Sequence, residues 1–339
     1  MSVREALATA VAQREVPEAV LEAAFAEIAD GNATPAQIAG LLVALRAKGE
    51  TAAEIVAAAR ALRARSVRAE SLDPRTVDVC GTGGDGAQTF NISTASAFVV
   101  AGAGVRVAKH GNRAASSRSG SIDVLEALGV HTDLTVEASA RVLERVGIAP
   151  FFARRAHPAM RFVAPVREEL GVRTLMNCLG PLLNPLGVRF QLVGVYAESL
   201  VPVLAEALNE LGAERALVVH GSDGLDEITT SGITHAVLVE RRSTRPLVID
   251  PGKLGIPPAM SGALRGGDAE ENARIIRAVL EGESGARRDI VMLNAAAALW
   301  VVGAAEDFAA GVPLARESLD TGAALRSLER LKRATEQEA

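Results

Sequence analysis

Residues 76–94 of the chain read TVDVCGTGGDGAQTFNIST, a short Val-rich run that leads into a glycine-rich loop. The run has the composition of a buried strand, and an apolar helical segment follows the loop. Glycines at the carboxyl end of a strand let backbone N–H groups approach an anion closely. Asn91, Ser93 and Thr94 are expected to cap the helix, whose N-terminus adds partial positive charge. This stretch therefore predicts a phosphate-binding strand–loop–helix unit.

Short Val-rich runs recur along the rest of the chain and alternate with helical segments. This alternation is typical of an α/β fold, in which helices flank a mostly parallel central sheet. The predicted strands are residues 76–80, 105–109, 148–152, 189–196, 215–220 and 236–240.

The first 66 residues have helical patterning throughout and predict a small all-α unit. Leu21, Phe25 and Ile28 recur at i, i+4 and i+7, and Thr51-x-x-Glu54 is a capping-box signal. Residues 159–186 read as helix and loop without a strand, which makes them a candidate second part of this unit.

The second predicted strand leads into KHGNRAASSRSGS, residues 109–121. Loops at the carboxyl ends of neighbouring parallel strands face one crevice, so this loop is expected to face the first. Its three cations (Lys109, Arg113 and Arg118), its four serines and its two glycines suit a second anion cradle. A solvated basic loop is the alternative.

Gly81, Gly83 and Gly86 also satisfy the G-x-G-x-x-G pattern of dinucleotide-binding proteins. That function requires a helix that opens at the glycines and an acidic residue at the end of the second strand. Here the helix starts later and the second strand ends in Lys109, so the pattern does not favour a dinucleotide. A glycine-rich turn without a ligand stays open as an alternative.

The predicted strand 215–220 ends in HGSDGLDE, residues 220–227. Adjacent carboxylates on a loop at a strand's carboxyl end suit Mg²⁺, which binds few protein carboxylates and completes its octahedron with water and phosphate oxygens. A solvated acidic turn is the alternative for this segment alone. Beside two anion loops, Asp226 and Glu227 are predicted metal ligands.

Composition excludes several classes of protein. With 339 residues the chain suggests two domains or one large domain with an insert, and a net charge of −5 with 3% aromatic residues disfavours nucleic-acid binding. Its two cysteines lack C-x-x-C spacing, and the longest apolar run, residues 295–305, is too short to span a membrane. We therefore expect a soluble cytoplasmic protein with no membrane or nucleic-acid partner.

Four motifs in this order, residues 78–86, 89–94, 109–121 and 220–227, within a chain of this length, resemble the anthranilate phosphoribosyltransferase family of tryptophan biosynthesis. The resemblance implies a nucleoside phosphorylase/phosphoribosyltransferase-like fold. It divides the chain into a small helical domain, residues 1–70 with 170–186 returning to it, and a large α/β domain, residues 71–169 and 187–339. It further implies a homodimer formed through the small domain and two Mg²⁺ per subunit.

The resemblance also assigns site residues by position. Anthranilate would contact Gly81, His110, Asn112 and Arg167, and Ser93, Asp226 and Glu227 would serve the metal ions. The residues that would bind phosphoribosyl pyrophosphate are Gly81, Gly84, Asp85, Thr89, Asn91, Ile92, Ser93, Thr94, Lys109, Ser116, Ser117 and Ser121.

The implied reaction is transfer of the 5-phosphoribosyl group to the amine of anthranilate with release of pyrophosphate, the second step of tryptophan biosynthesis. Two alternatives remain at this point. One is a pyrimidine-nucleoside phosphorylase, which has no use for a metal-binding acidic pair. The other is a non-catalytic nucleic-acid-binding relative of the same fold, which the net charge disfavours.

Overall fold

The computed structural model describes residues 2–70, 73–114, 118–260 and 262–339. Within these ranges seven strands form one sheet in the order β3-β2-β1-β4-β5-β6-β7. The first five strands in this order run parallel, β6 is antiparallel to β5, and β7 is antiparallel to β6, so the predicted mostly parallel sheet is confirmed. The strands are β1 (Val77–Gly81), β2 (Val107–Gly111), β3 (Ile148–Phe152), β4 (Phe190–Gly194), β5 (Arg215–Gly221), β6 (Thr234–Glu240) and β7 (Ser243–Ile249).

Helices precede the sheet and cover both of its faces. The helices before the first strand are α1 (Ser2–Val11), α2 (Glu18–Ala29), α3 (Pro35–Lys48) and α4 (Ala52–Arg63). Those between the strands are α5 (Ile92–Gly102), α6 (Ser121–Ala127), α7 (Val136–Val146), α8 (Ala153–Ala156), α9 (Ala164–Leu170), α10 (Met176–Leu179) and α11 (Leu200–Glu210). Those after the sheet are α12 (Ala269–Leu280), α13 (Ala286–Val301), α14 (Phe308–Asp320) and α15 (Ala323–Glu336).

Buried polar contacts fix the N-terminal helices to one another. The capping box predicted at Thr51 is present at the start of α4, and its Glu54 side chain is fully buried. Glu54 accepts hydrogen bonds from the backbone N–H of Val16 at 3.0 Å and from Lys48 Nζ at 2.9 Å. The Glu54 carboxylate therefore links α4 to the end of α3 and to the residues just before α2.

Successive residues of the central strands point to opposite faces of the sheet. On β5, Leu217 and Val219 belong to a core cluster that includes α5 and α13, whereas Ala216 and Val218 belong to a second cluster with α11 and the N-terminal helices. The second cluster also includes buried apolar residues between Val163 and Leu183. The N-terminal helices therefore share a continuous apolar core with one face of the sheet.

The strand pattern did not predict β7. It is an edge strand whose residues are exposed from Ser243 to Pro246, and it contains a proline. Edge strands carry polar residues and proline because one side of their backbone has no partner, and such a sequence lacks the buried Val-rich pattern.

Two expectations from composition concern the cysteines and membrane-spanning segments. Cys80 and Cys178 are both free thiols. In the described part of the chain, every helix is too short or too polar to cross a lipid bilayer.

The strand order creates a crevice at one edge of the sheet. From β1 the chain continues to β2 and β3 on one side, and β4 then pairs on the other side of β1. The carboxyl ends of β1 and β4 thus flank the point where the order reverses, which is where open α/β sheets bind ligands.

Candidate functional site

The acidic turn after β5 fills the crevice between β1 and β4. A Cβ atom on Gly194, the last residue of β4, would lie 1.6 Å from the Asp226 carbonyl oxygen, and one on Gly81 would lie 2.5 Å from Asp226 Oδ2. No side chain larger than hydrogen fits at either strand end. These two glycines therefore allow the acidic turn to reach the site.

The first anion loop is held by that turn. Gly83, Gly84 and Gly86 have φ values of +65°, +78° and +79°, which glycine adopts readily and other residues rarely do. In this conformation Gly83 N donates to Asp226 Oδ2 at 2.7 Å. Asp85 Oδ2 in turn accepts from Asp226 N at 3.4 Å.

The N-terminus of α5 faces the second carboxylate of the pair. Ser93 N donates to Glu227 Oε1 at 3.0 Å, so the first turn of the helix interacts with a negative charge, as its dipole favours. Thr94 is fully buried, and its hydroxyl has no hydrogen-bond partner among the described residues. The predicted phosphate-binding helix N-terminus and the predicted acidic pair therefore lie together.

The capping prediction for Asn91 is wrong. Asn91 precedes α5, but its side chain makes no capping hydrogen bond. Its Nδ2 donates to Ser119 O at 3.2 Å, and its Oδ1 accepts from Asn272 Nδ2 at 2.9 Å. The carboxamide instead links the start of α12 to the second anion loop, because Asn272 and Ser119 occupy both of its ends.

Two other residues of this loop contribute chiefly through their backbone. The Ile92 side chain is buried in the core, so only its main chain can face a ligand. Thr89 is half-buried and forms an antiparallel bridge with Arg265.

Lys109 links β2 to β1 and to the first turn of α5. This buried side chain on β2 donates from Nζ to Val79 O at 2.8 Å and to Ser93 Oγ at 3.3 Å. Burial lowers the pKa of Lys109, and the negative charges of Asp78 and Glu227 oppose that shift. This places a basic side chain at Ser93, close enough to Glu227 for the two charges to interact.

The second loop differs from the predicted cradle of three cations. Arg113 faces Asp123 at 3.1 Å and Glu126 at 2.7 Å, so its charge is already compensated. Asp123 also closes the loop by accepting from Ala114 N and Gly120 N. Ser121 is present at the start of α6, whereas Ser116 and Ser117 lie outside the described residues.

Ionisation of the acidic pair, Asp226 and Glu227, costs free energy because both carboxyl groups are buried. Burial, and then the charge of Asp85, raises the pKa of Asp226 to about 7. Burial and the neighbouring Asp226 raise the pKa of Glu227 well above its ordinary value, and Lys109 opposes this effect. The three carboxylates repel one another, so a cation placed between them would be favoured.

This donor set fits Mg²⁺ in particular. No group of three or more His, Cys, Asp or Glu side chains in the described ranges encloses a metal position. Mg²⁺ does not need such a cage, since it binds through one or two carboxylates together with water and substrate phosphates.

His110 and His157 form a buried pair next to the second loop. Their Nε2 atoms are 3.2 Å apart, and His110 Nδ1 lies 3.1 Å from Gly180 O. Burial lowers the pKa of His110 to about 3 and that of His157 to about 4, so both imidazoles are neutral at pH 7. Because a carbonyl only accepts, His110 donates from Nδ1 and its Nε2 accepts from His157.

The remaining residues predicted to contact anthranilate are not joined by direct contacts. Arg167 on α9 is half-buried, which lowers the pKa of its guanidinium, and its side chain makes no ion pair or hydrogen bond to any described residue. Asn112 is exposed, and its Oδ1 accepts from Arg113 N at 2.9 Å. No hydrogen bond connects Arg167 with Gly81, His110 or Asn112 among the described residues.

Three buried asparagines that the motifs did not indicate hold the site. Asn184 donates to Asp78 Oδ2 at 2.9 Å, Asn272 donates to Asn91, and Asn294 accepts from Ile228 N and donates to Ile228 O, both at 2.9 Å. A lone asparagine inside the apolar run of α13 was a usable signal for Asn294, because an amide is seldom buried without hydrogen-bond partners.

Arg173 is a further residue that the motifs did not indicate. It follows α9, donates to Gly84 O, and lies 4.4 Å from the centre of the Tyr196 ring. The segment after α9 therefore contacts the first anion loop directly.

Comparison with known proteins places this geometry among glycosyl transferases. Residues 73–325 match the α/β domain of the glycosyl transferase family, and residues 4–66 match the helical bundle domain of that family. The chain is 54% identical over 318 residues to an anthranilate phosphoribosyltransferase of Rhodospirillum rubrum, covering 94% of this chain and 91% of that protein. It is 56% identical over 313 residues to the protein of that name from Thermomicrobium roseum, covering 91% and 90%.

Solved structures agree along the whole chain. The crystal structure of anthranilate phosphoribosyltransferase from Thermus thermophilus superposes with a TM-score of 0.93 at 43% identity, covering 98% of this chain and 99% of that one. The enzyme from Saccharomyces cerevisiae in complex with PRPP and Mg superposes with a TM-score of 0.90 at 27% identity, covering 99% and 98%.

Proposed function

The chain belongs to the anthranilate phosphoribosyltransferase family, and from that premise we propose how its two anion loops and its acidic pair carry out the reaction. The protein is an enzyme that transfers the phosphoribosyl group of phosphoribosyl pyrophosphate (PRPP) to anthranilate.

One observation carries the placement of PRPP: three distant segments meet at the crevice between β1 and β4. Gly83 contacts Asp226, Ser93 contacts Glu227, and Lys109 contacts Ser93. Backbone N–H groups, a helix N-terminus and a buried cation thus surround one space, which suits phosphate groups. The residues proposed to bind PRPP are Gly81, Gly84, Asp85, Thr89, Asn91, Ile92, Ser93, Thr94, Lys109, Ser116, Ser117 and Ser121.

The enzyme binds Mg²⁺, as its relative from yeast does with PRPP. We assign the protein ligands to Ser93, Asp226 and Glu227, and propose two ions per subunit, since the mutual repulsion of Asp85, Asp226 and Glu227 favours added positive charge. When bound, Mg²⁺ neutralises the charge that develops on departing pyrophosphate.

The protein's own contribution is positioning and fixed dipoles. The glycine-loop amides and the N-terminus of α5 stabilise negative charge on the leaving group, and Lys109 supplies a nearby cation. Departure of pyrophosphate leaves positive charge on the ribose carbon, and the neutral aromatic amine attacks that carbon. The amine can lose its proton afterwards, so no strong base is required.

We assign anthranilate to Gly81, His110, Asn112 and Arg167. The half-buried guanidinium of Arg167 suits the carboxylate of the aromatic acid, since a planar guanidinium pairs with a carboxylate in two parallel hydrogen bonds. His110 is neutral and offers apolar ring surface and hydrogen bonding rather than charge. Arg173, on the returning segment 170–186, contacts the first anion loop, so closure of that segment onto the sheet would exclude water from the reaction.

We propose the division of the chain into residues 1–70 with 170–186, and 71–169 with 187–339. The continuous core that α4 shares with α11 supports a tight junction between these parts rather than a free linker.

We further propose a homodimer formed by the outer face of α1 and α3, two helices that pack together. Val11 and Val43 leave apolar surface exposed on these helices, at 63% and 42% exposure. Val43→Arg is expected to shift the light-scattering mass from two copies to one. A cytoplasmic location fits the two free thiols, because thiols persist in reducing compartments.

The reaction is tested by mixing the purified chain with PRPP, Mg²⁺ and anthranilate and following the fluorescence of the free aromatic acid. The decrease in anthranilate fluorescence is expected to stop in EDTA and to resume when Mg²⁺ is added in excess. Undiminished turnover in EDTA would contradict the metal role proposed for Asp226 and Glu227. Tight, salt-sensitive DNA binding in a gel shift would favour the nucleic-acid-binding relative.

A further inference from the structure

A relay of two asparagine side chains joins three separate segments behind the first anion loop. Asn272 Oδ1 accepts from Gly267 N at 2.8 Å, and Asn272 Nδ2 donates to Asn91 Oδ1 at 2.9 Å. Asn91 Nδ2 then donates to Ser119 O at 3.2 Å. The relay therefore runs from the start of α12 through the start of α5 to the second anion loop.

Backbone groups at both ends determine the direction of this relay. The Gly267 N–H group can only donate, so the oxygen of Asn272 faces it and the nitrogen faces Asn91. The Ser119 carbonyl can only accept, so the nitrogen of Asn91 faces it. Neither carboxamide can flip without placing like groups against each other.

Neighbouring backbone contacts hold the relay in place. Phe90 N donates to Leu264 O at 3.1 Å, and Gly266 N donates to Gln88 O at 2.9 Å. Asn272 is itself buried, with 2% exposure. The segment before α12 thus clamps the residues just ahead of Asn91.

We propose that Asn272 is a positioning residue that fixes the orientation of the Asn91 carboxamide and so holds the two anion loops at the spacing that PRPP requires. This inference rests on the proposed placement of PRPP between those loops. Asn272 acts through Asn91 and does not contact the substrate.

The sharpest variant is Asn272→Asp, which keeps the shape of the side chain and its bond to Gly267 N. An ionised carboxylate cannot donate to Asn91 Oδ1, so the Asn91 carboxamide would turn and direct its oxygen at Ser119 O. The two loops would then separate. We expect the Kd and the KM of PRPP to rise about tenfold, while the KM of anthranilate changes less than twofold.

The pH dependence separates positioning from a purely structural role. A protonated aspartic acid can donate to Asn91 Oδ1 and still accept from Gly267 N, so acidification restores the relay. The ratio of variant to wild-type Kd, measured by calorimetry with PRPP and Mg²⁺ and without anthranilate, is expected to fall toward one between pH 8 and pH 5.5.

Ser318→Ala is the matched control, because it removes a buried 2.8 Å hydrogen bond to Val99 O away from the site. It is expected to lower Tm without changing the Kd of PRPP. Should Asn272→Asp not fold, Asn272→Ala is measured in the same way, with an expected rise in Kd that does not depend on pH.

Two outcomes are distinguishable failures. Wild-type protein that binds no PRPP would overturn the proposed function. Wild-type protein that binds PRPP, with an Asn272 variant that binds it within twofold at every pH, would overturn the role of Asn272.

Discussion

The backbone amide of Ser93 donates to Glu227 Oε1 at 3.0 Å, across 134 residues of sequence. The first turn of α5 therefore already faces a carboxylate at the position where a phosphate would be stabilised. Because Asp226 interacts with the glycine loop in the same way through Gly83 N, both anion-binding elements are organised by the acidic pair.

Replacement of the pair by Asp226→Asn with Glu227→Gln is expected to lower kcat by about 100-fold or more. The neutral variant should be as stable as the wild type or more so, because burial and repulsion raise the pKa of both carboxyls. Fluorescence turnover assays and thermal melts measure the two effects. A loss of Tm that parallels the loss of activity would contradict a metal role.

Arg167→Ala is expected to raise the KM of anthranilate at least about tenfold and to leave the KM of PRPP nearly unchanged. The reason is that its half-buried guanidinium has no ion pair with any described residue and is available to a carboxylate. Arg161→Ala serves as the control, since that exposed side chain lies over the Phe162 ring. An unchanged KM for anthranilate would remove Arg167 from the site.

The contribution of the His110–His157 pair to the free energy of unfolding is expected to fall as pH decreases from about 6.5 to 4, whereas the raised pKa values of Asp78 and Asp226 act in the opposite direction. His110 and His157 have folded-state pKa values of about 3 and about 4, so in this range the unfolded chain binds protons that the folded protein does not. Protonation would place two N–H groups against each other across the 3.2 Å contact, close to the cation of Lys109.

Urea unfolding of the wild type and of His157→Gln at pH 7.0 and pH 5.0 isolates this contribution, and the wild type is expected to lose about 1 kcal/mol more per pH unit than the variant. An equal slope in both proteins would assign the acid sensitivity to other groups.

Glu54→Ala is expected to destabilise the protein by about 3 kcal/mol, because it leaves Lys48 buried without its partner and removes the acceptor for Val16 N. Glu18→Ala breaks an exposed ion pair with Arg60 and should cost less than about 1 kcal/mol. Urea midpoints measure both changes. Activity per folded molecule is expected to stay unchanged, since Glu54 lies among the N-terminal helices.

Local patterns predicted the elements that are buried and regular. The six predicted strands are present with small shifts at their ends, because Val-rich runs and glycine loops report local backbone preference and burial. The edge strand β7 escaped prediction since its exposed residues and Pro246 carry no such pattern.

The candidate site was predictable as a set of loops but not as a network. Glycine spacing indicated the first loop, and the adjacent carboxylates indicated the acidic turn. Asn91 accepts a hydrogen bond from Asn272, and Arg113 pairs with Glu126. Local sequence patterns cannot identify either partner, because each lies on another segment of the chain.

The site cannot assemble early in synthesis, because β1 lies inside the sheet and needs neighbours from later in the chain. Strand β1 needs β4 as a neighbour, and Asn91 needs Asn272, which is 181 residues further along the chain. At about 5–20 residues per second, the ribosome takes about 10–35 s to add that stretch. A nascent chain therefore exposes its glycine loop for this interval without the groups that shape it, and the sugar diphosphate cannot aid folding until most of the polypeptide has emerged.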